Sequence, residues 1–517
     1  MLFRSNGGIG TYIKASSESH GACGDRANDA IRVDGDALRC KVVAEGGNLG
    51  CTQRGRIEYA LGGGLINTDA IDNSAGVDCS DHEVNIKILL NGVVAEGELT
   101  LKQRDKLLAE MTDDVAALVL RDNTFQNQVL AVTRARGAAL LDEQGRYMRH
   151  LAARGRLNRA LEFLPDDNAL AVRQQAGQAL TAPELAVLLA YNKMELYDLV
   201  LASDVPEDAY IATSLQRYFP ARLHAQFPAA LQRHALKREI IATHVVNSMV
   251  NRVGATFVHH LQEETGAAAP DIVRAYLATR QIFDLVSIWL ATEALDNQVP
   301  EPTQNAIVLT TVRAIERATV WLLQQRDALR DIDATIGRFA PGIAEVGLGL
   351  AHWLAAQERS ALDAATADWV AQGVPTALAE RVARMDAQVA GLDIVEVSAE
   401  TGIAVETVAG VYFGVGGRLD LGWVSQQIAT LPADSHWQAL ARVAMRNDLS
   451  SLARDLARSV LKAGAASTDA AARISDWQGQ RATQIARCRQ VLADVKPAPV
   501  VDMPMLSVLL RELRSLV

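Results

Sequence analysis

Between Glu45 and Val84 short apolar runs end in glycines, asparagines and a serine. The first motif is Glu45-Gly46-Gly47-Asn48-Leu49-Gly50-Cys51-Thr52. The second runs Asp69-Ala70-Ile71-Asp72-Asn73-Ser74-Ala75-Gly76-Val77-Asp78-Cys79-Ser80. Glycine directly after a strand lets a ligand approach the backbone, because no Cβ stands in the way. In open α/β sheets ligands lie at the carboxyl ends of the strands. Arg39 to Ala44 reads as a strand running into Gly46-Gly47, Gln53 to Leu61 as a helix, and Gly64 to Thr68 as a second, shorter strand. Strand, helix, strand in this order predicts a parallel α/β unit. Two or three strands do not make a covered parallel sheet, so further strands N-terminal to Met1 are expected to complete it.

From about residue 98 the period turns helical. Thr100 and Gln103 form a capping box ahead of Leu101 to Leu120, and Thr181-Ala182-Pro183-Glu184 is a stronger helix start ahead of Leu185 to Leu201. Helical patterns continue at about 229 to 265, 270 to 296 and 302 to 330. A boundary is expected at Arg338-Phe339-Ala340-Pro341-Gly342, a turn at Gly414-Val415-Gly416-Gly417, and a last helix from about Met505. The predicted organisation is therefore α/β plus mostly α. An incomplete Rossmann-like parallel unit spans 1–95, a helical region 96–338, and a C-terminal helical domain 339–517.

The formal charge of −10 disfavours nonspecific binding to nucleic acid or to an acidic membrane. The longest apolar stretch, near Ile282 to Leu295, is broken by Asp284 and Glu293, and the start of the chain has no long apolar segment. Neither nucleic acid nor membrane is expected as a partner. The five cysteines are sparse and lack CxxC spacing, so no zinc site or disulfide framework is expected and a cytoplasmic location is. Cys51 and Cys79 are expected to be buried filler.

Within the two motifs, Asn48 presents an amide that can donate to one ribose hydroxyl and accept from another. Asn73 precedes small residues that leave room for a flat ring, and its amide suits a carboxamide. Ser80 follows seven residues later, about two helical turns, so it projects near the same face. Each alone is weak: Gly-Gly-Asn is most often an ordinary turn, and a lone helix serine usually bonds local backbone.

Taken together these residues resemble the nicotinamide-facing half of glutamate dehydrogenases. The fuller strings Gly46-Gly47-Asn48-Leu49-Gly50 with Thr52-Gln53-Arg54-Gly55, and Asp72-Asn73-Ser74-Ala75-Gly76-Val77-Asp78-Cys79-Ser80-Asp81-His82-Glu83, look like the large NAD-dependent enzymes of bacteria. Asn6-Gly7-Gly8-Ile9-Gly10-Thr11-Tyr12, Gly24-Asp25-Arg26-Ala27-Asn28-Asp29, Ala182-Pro183-Glu184 and Arg252-Val253-Gly254 look similar too, so the resemblance covers nearly the whole chain. It implies that Asn48 contacts the nicotinamide-side ribose, Asn73 the carboxamide, and Ser80 the substrate's side-chain carboxylate. Gly7, Gly8, Gly46 and Gly47 would line the cofactor cleft by backbone. The implied reaction is oxidative deamination of L-glutamate to 2-oxoglutarate and ammonia, with hydride passing to NAD. A homo-oligomer is also expected.

Two family features are missing. There is no Gly-x-Gly-x-x-Gly with a following acidic residue, and no glycine-rich segment carrying a reactive lysine. Lys14, Lys41 and Lys87 are expected to be solvated or structural. No catalytic residue is assigned in this chain; the catalytic lysine and aspartate are expected upstream of Met1, and the chain alone is expected to be inactive. Two rivals remain. Val397 to Phe413 has helix-turn-helix spacing, but its second helix carries Glu406 and apolar residues, which favours a structural αα-hairpin. The helical remainder also suits a regulatory or oligomerisation module without catalytic activity of its own.

Overall fold

The computed structural model describes residues 3–6, 8–325, 329–432, 435–463 and 469–517. They divide into two compact units, residues 1–274 and 275–517. Helix dominates both. Among the described residues, no helix is long and apolar enough to cross a membrane.

The first unit begins with two small parallel strand pairs. Strand β1 (Phe3–Asn6) runs beside β4 (Val42–Glu45), with Phe3 opposite Val42 and Asn6 opposite Glu45. Strand β2 (Ile13–Lys14) runs beside β3 (Val33–Asp34). The strand expected at Gly64 to Thr68 is reduced to one parallel bridge, Leu65 to Val42. Gly64 explains the reduction: the backbone wraps so tightly over Tyr59 that a Cβ there would sit 2.2 Å from the ring. The expected helix is present as α1 (Gln53–Leu61), with Thr52 as its cap accepting from the Gly55 amide at 3.0 Å.

Next come the single turn α2 (Asp69–Asp72) and the long helix α3 (Ser74–Ala95). Helix α3 buries His82, Ile86, Leu89, Leu90 and Val93. The pattern over Leu101 to Leu120 is not one helix. It breaks at Met111 into α4 (Leu101–Glu110) and α5 (Thr112–Arg136), and α4 carries the expected capping box. The box at Thr181 and Glu184 is also formed, opening α8 (Ala182–Leu201) after α6 (Leu141–Ala153) and α7 (Asp167–Gln175).

Among its described residues the second unit has helices and no strand. Residues 338–342 lie inside the helix Ile332–Trp353, Pro341 included. The turn expected at Gly414–Gly417 is absent, since these residues belong to the helix Val405–Arg418. Their glycines serve close packing instead. A Cβ on Gly414 would stand 2.7 Å from Ile474, and one on Gly417 would stand 3.0 Å from Ala355. The αα-hairpin is present as Gly391–Thr401 and Val405–Arg418, joined at Gly402 in the left-handed region. Its second helix buries Val408, Val411, Tyr412 and Val415 in the core. The last helix is Met503–Arg514.

Candidate functional site

The β1–β4 register carries both glycine loops to one place. Because Asn6 pairs with Glu45, residues 8–10 and 46–49 lie beyond the same end of the sheet. Leu65 bridges the other side of β4, so the turn leading into α2 and α3 departs from that end too. Gly7 lies outside the described residues. Gly46 is exposed and Gly47 half-buried at this end.

Asn48 and Asn73 meet there. The Asn73 Nδ2 donates to Asn48 Oδ1 at 3.3 Å, on the solvent-exposed side. Gly76 makes this arrangement possible. A Cβ at that position would lie 2.9 Å from the Asn73 side-chain oxygen and displace the carboxamide. Asn73 is the residue before α3, and Ser80 is exposed one to two turns into it, so a helix of 3.6 residues per turn brings both to nearly the same face. The amino-terminal end of a 22-residue helix, with its partial positive charge, therefore opens beside the two asparagines. Ile9, Leu49 and Val77 are exposed apolar residues of the same segments.

A buried ion pair holds the loops. Glu45, fully buried at the end of β4, accepts from Arg56 Nε at 2.6 Å, from Arg56 Nη2 at 2.9 Å and from the Cys51 amide at 2.9 Å. Burial by itself lowers the Arg56 pKa, but the Glu45 hydrogen bonds and charge outweigh it and raise the value. Arg56 also lies 3.3 Å from Asp69. Asp69 accepts the Leu49 amide at 2.7 Å, which fixes Leu49 at its positive φ of 58° just after Asn48. Asp72 accepts the Glu45 amide at 2.9 Å and Asn67 Nδ2 at 3.2 Å; burial raises its pKa, and these two hydrogen bonds pull the other way. Both halves of the site are thus laced by carboxylates into one body.

The segment 24–29 braces the first loop. Asp25 accepts the Thr11 amide at 2.8 Å and the Asn28 side chain at 2.6 Å, and the Asn28 bond leads in holding its pKa low. Thr11 Oγ1 donates to the Leu49 carbonyl at 2.9 Å, which links the two glycine loops. Gly10, at φ 128°, lies so close to Asn28 that a Cβ would come within 2.3 Å of its amide nitrogen. Gly8 sits against the Tyr12 ring, whose hydroxyl donates to the Ile9 carbonyl at 2.7 Å.

These fragments match known proteins. Residues 1–133 match the family described as bacterial NAD-glutamate dehydrogenase, catalytic domain, and residues 177–515 match glutamate dehydrogenase, C-terminal. The chain belongs to the bacterial NAD-glutamate dehydrogenase family. It is 46% identical over 99% of its length to the NAD-specific glutamate dehydrogenase of Pseudomonas aeruginosa. Against the enzymes of the same name from Halomonas elongata and Mycobacterium tuberculosis it is 43% and 40% identical, over 99% and 100% of its length. The chain spans about 32% of the length of each of these relatives.

In this member of the family, residues to which the motifs give no role position the site. Arg56, Asp69, Asp72 and Asp25 carry the asparagines through contacts with no short-range signature. The one local hint was a charged residue, Glu45, closing an apolar strand. Lys14 is structural: it is buried and ion-paired with Asp34. Lys87 pairs with Glu83 on the surface of α3. Cys51 is buried, and burial pushes its thiol well up. Cys79 is a correction. It is exposed, because its position on α3 turns away from the face that packs on the core.

Proposed function

We propose that this chain supplies the nicotinamide-facing wall of a glutamate dehydrogenase. The observation that carries the reading is the contact between Asn48 and Asn73 across loops that leave parallel strands at one end. Two carboxamides side by side over exposed glycine backbone suit a flat pyridine carboxamide and its ribose. The requirement for glycine at position 76 keeps the Asn73 amide open to such a ring. In this reading Asn48 holds the ribose, Asn73 holds the carboxamide, and Gly7, Gly8, Gly46 and Gly47 approach NAD through backbone. Ser80 Oγ donates to the side-chain carboxylate of L-glutamate. Bound NAD would accept the hydride as glutamate is oxidised to 2-oxoglutarate and ammonia.

The strand pairs are read as part of a Rossmann-like unit completed by sequence outside these residues. In this reading the reactive lysine and the proton-transfer aspartate lie outside these residues, as the family resemblance implies, and Lys14 is held by Asp34. Five free cysteines suit a reducing cytoplasm.

The test is Ser80→Ala in the full-length enzyme. Losing a hydrogen bond to a charged group is worth ~1.5–3 kcal/mol, so KM for glutamate should rise roughly 10- to 100-fold while KM for NAD stays within twofold. An equal loss for both ligands removes the assignment of Ser80.

A further inference from the structure

Helix α3 has a second polar face, turned away from Ser80, that the dehydrogenase reading does not use. Asp78 and His82 lie one turn apart on it, and Asp122 faces them from α5. Each offers a ligand atom, and the three atoms lie within 4.8 Å of one another. His82 is only 1% exposed, and neither of its ring nitrogens has a hydrogen-bond partner. Oδ2 of Asp78 is buried and unpartnered too. The His82 Nε2 points at the carboxylates, 3.8 Å from Asp78 Oδ1. Its ring is held in plane by stacking on Tyr218, with centroids 4.3 Å apart.

Buried polar atoms are nearly always satisfied, and an imidazole with two open nitrogens beside an open carboxylate oxygen is a conspicuous exception. Lys193 does not resolve it. Its ammonium reaches Gln126 Oε1 at 3.4 Å, and it feels the charge of both Asp122 and Asp78. Lys193, with Arg121 beside Asp122, stands against three carboxylates, Asp78, Asp122 and Asp81, which still leaves the site negative. An ammonium is also a donor only, so it offers nothing to an imidazole N–H.

We propose that Asp78, His82 and Asp122 form a divalent metal site that ties α3 to α5. One imidazole and two carboxylates favour Zn²⁺ or a first-row transition ion over Mg²⁺ or Ca²⁺, which take oxygen ligands. Bonds of about 2.1 Å in a tetrahedral site put ligand atoms roughly 3.4 Å apart, so the carboxylates close by about 1 Å around the ion. The neutral form of His82, favoured by burial, is the form that ligates. The ion holds the base of the helix that carries Asn73 and Ser80, yet touches neither, so this site stands whether or not Ser80 binds glutamate.

The experiment is titration of the chelator-treated chain with Co²⁺. One equivalent should bind, with visible d–d absorption and no thiolate charge-transfer band, and Zn²⁺ should displace it. His82→Gln and Asp122→Asn should each weaken binding by at least the roughly 10- to 100-fold that loss of an outer partner alone causes. Asp122 is the less buried of the two, so Asp122→Asn decides the matter if His82→Gln fails to fold. Absence of stoichiometric binding overturns the proposal. So does equal binding by the folded variants, or a thiolate band placing the ion on a cysteine such as the exposed Cys79.

Discussion

Around the glycine loops the buried apolar cluster comprises Ile13, Val43, Cys51, Tyr59 and Ile66. In the helical unit of residues 275–517 a much larger one runs from Val346 to Leu516 and includes Leu456, Val460, Trp477 and Leu506. The first region makes up the shortfall with charge and close backbone contact: Glu45 to Arg56, Asp69 to the Leu49 amide, Asp25 to the Thr11 amide. The second keeps many of its ion pairs toward the surface, as Arg458 with Glu400 and Arg514 with Asp448. Its buried Asp393 accepts from Trp321 Nε1 at 2.8 Å, from Arg454 at 3.1 Å, and from the Tyr412 and Ser450 hydroxyls at 3.4 Å each. The contrast follows from what each region presents. In the proposed reading the first region is a wall for a polar ligand: it exposes glycine backbone and amides, has few side chains left to bury, and directional bonds set its shape. A helical body can bury a stripe of every helix and be held by area alone.

The sharpest way to break this comparison is to attack each region by its own force. Trp477 is fully buried and its Nε1 donates to Ser459 at 3.2 Å. Trp477→Ala should destabilise the helical unit by about 3–5 kcal/mol, read as a lowered urea midpoint in the full chain. Arg56→Ala leaves Glu45 buried without its cation and should cost about 3–5 kcal/mol locally. Hydrogen exchange should speed up in residues 42–52 and leave the helices of 275–517 unchanged. A conservative double change, Glu45→Gln with Arg56→Met, should recover most of that loss, because no buried charge is then left alone. If it does not, the region depends on geometry rather than charge pairing.

A pH series sharpens the comparison within the first unit. Burial pushes the Asp78 carboxyl up to about 7, Asp122 and Asp81 add to the rise, and Lys193 opposes it. A carboxyl with a raised folded pKa favours folding below its unfolded pKa of 3.8, and that contribution is lost as pH rises through about 7. His82 has the opposite sign of dependence, since burial lowers its pKa to about 4 and acid must charge it. In chelated buffer Asp78→Asn should therefore gain stability over the parent above pH ~7 more than at pH ~5, as thermal melts at the two pH values would show. The smallest effect is expected at Gly402, which ends a helix at φ 69° with open space where a Cβ would go. Gly402→Ala should cost about 1 kcal/mol of backbone strain and no contact, and a larger loss in the melt would mean the hairpin is packed more tightly than it looks.

Local chemistry was legible. Thr52 and the helix after it, the boxes at Thr100 and Thr181, and the αα-hairpin turn at Gly402 all stand as their residue types require, because each depends on neighbours within a few positions. The spacing that carries Asn73 and Ser80 toward one face is of the same kind. The misreadings share a cause as well. Gly414 and Gly417 look like a turn until Ile474 and Ala355, distant in sequence, are found pressed against them. Cys79 looks like core until the packed face of α3 is seen to be set by His82, Ile86 and Leu89. Leu101 to Leu120 reads as one helix, yet it breaks at the buried Met111.

By itself, then, the amino-acid order determined the helical character of most of the chain, its caps, and the residue types suited to a dinucleotide wall. Those properties arise from 3.6-residue periodicity and from backbone groups satisfied close by. Tertiary structure alone decided that Asn48 meets Asn73, that Asp25, Arg56 and Asp69 hold them, and that Asp78, His82 and Asp122 share one pocket of unmet polarity. Apart from Asp78 and His82, which are one helical turn apart, these contacts join positions from 13 to 44 residues apart, and they exist only once strand register and helix packing have closed the intervening chain.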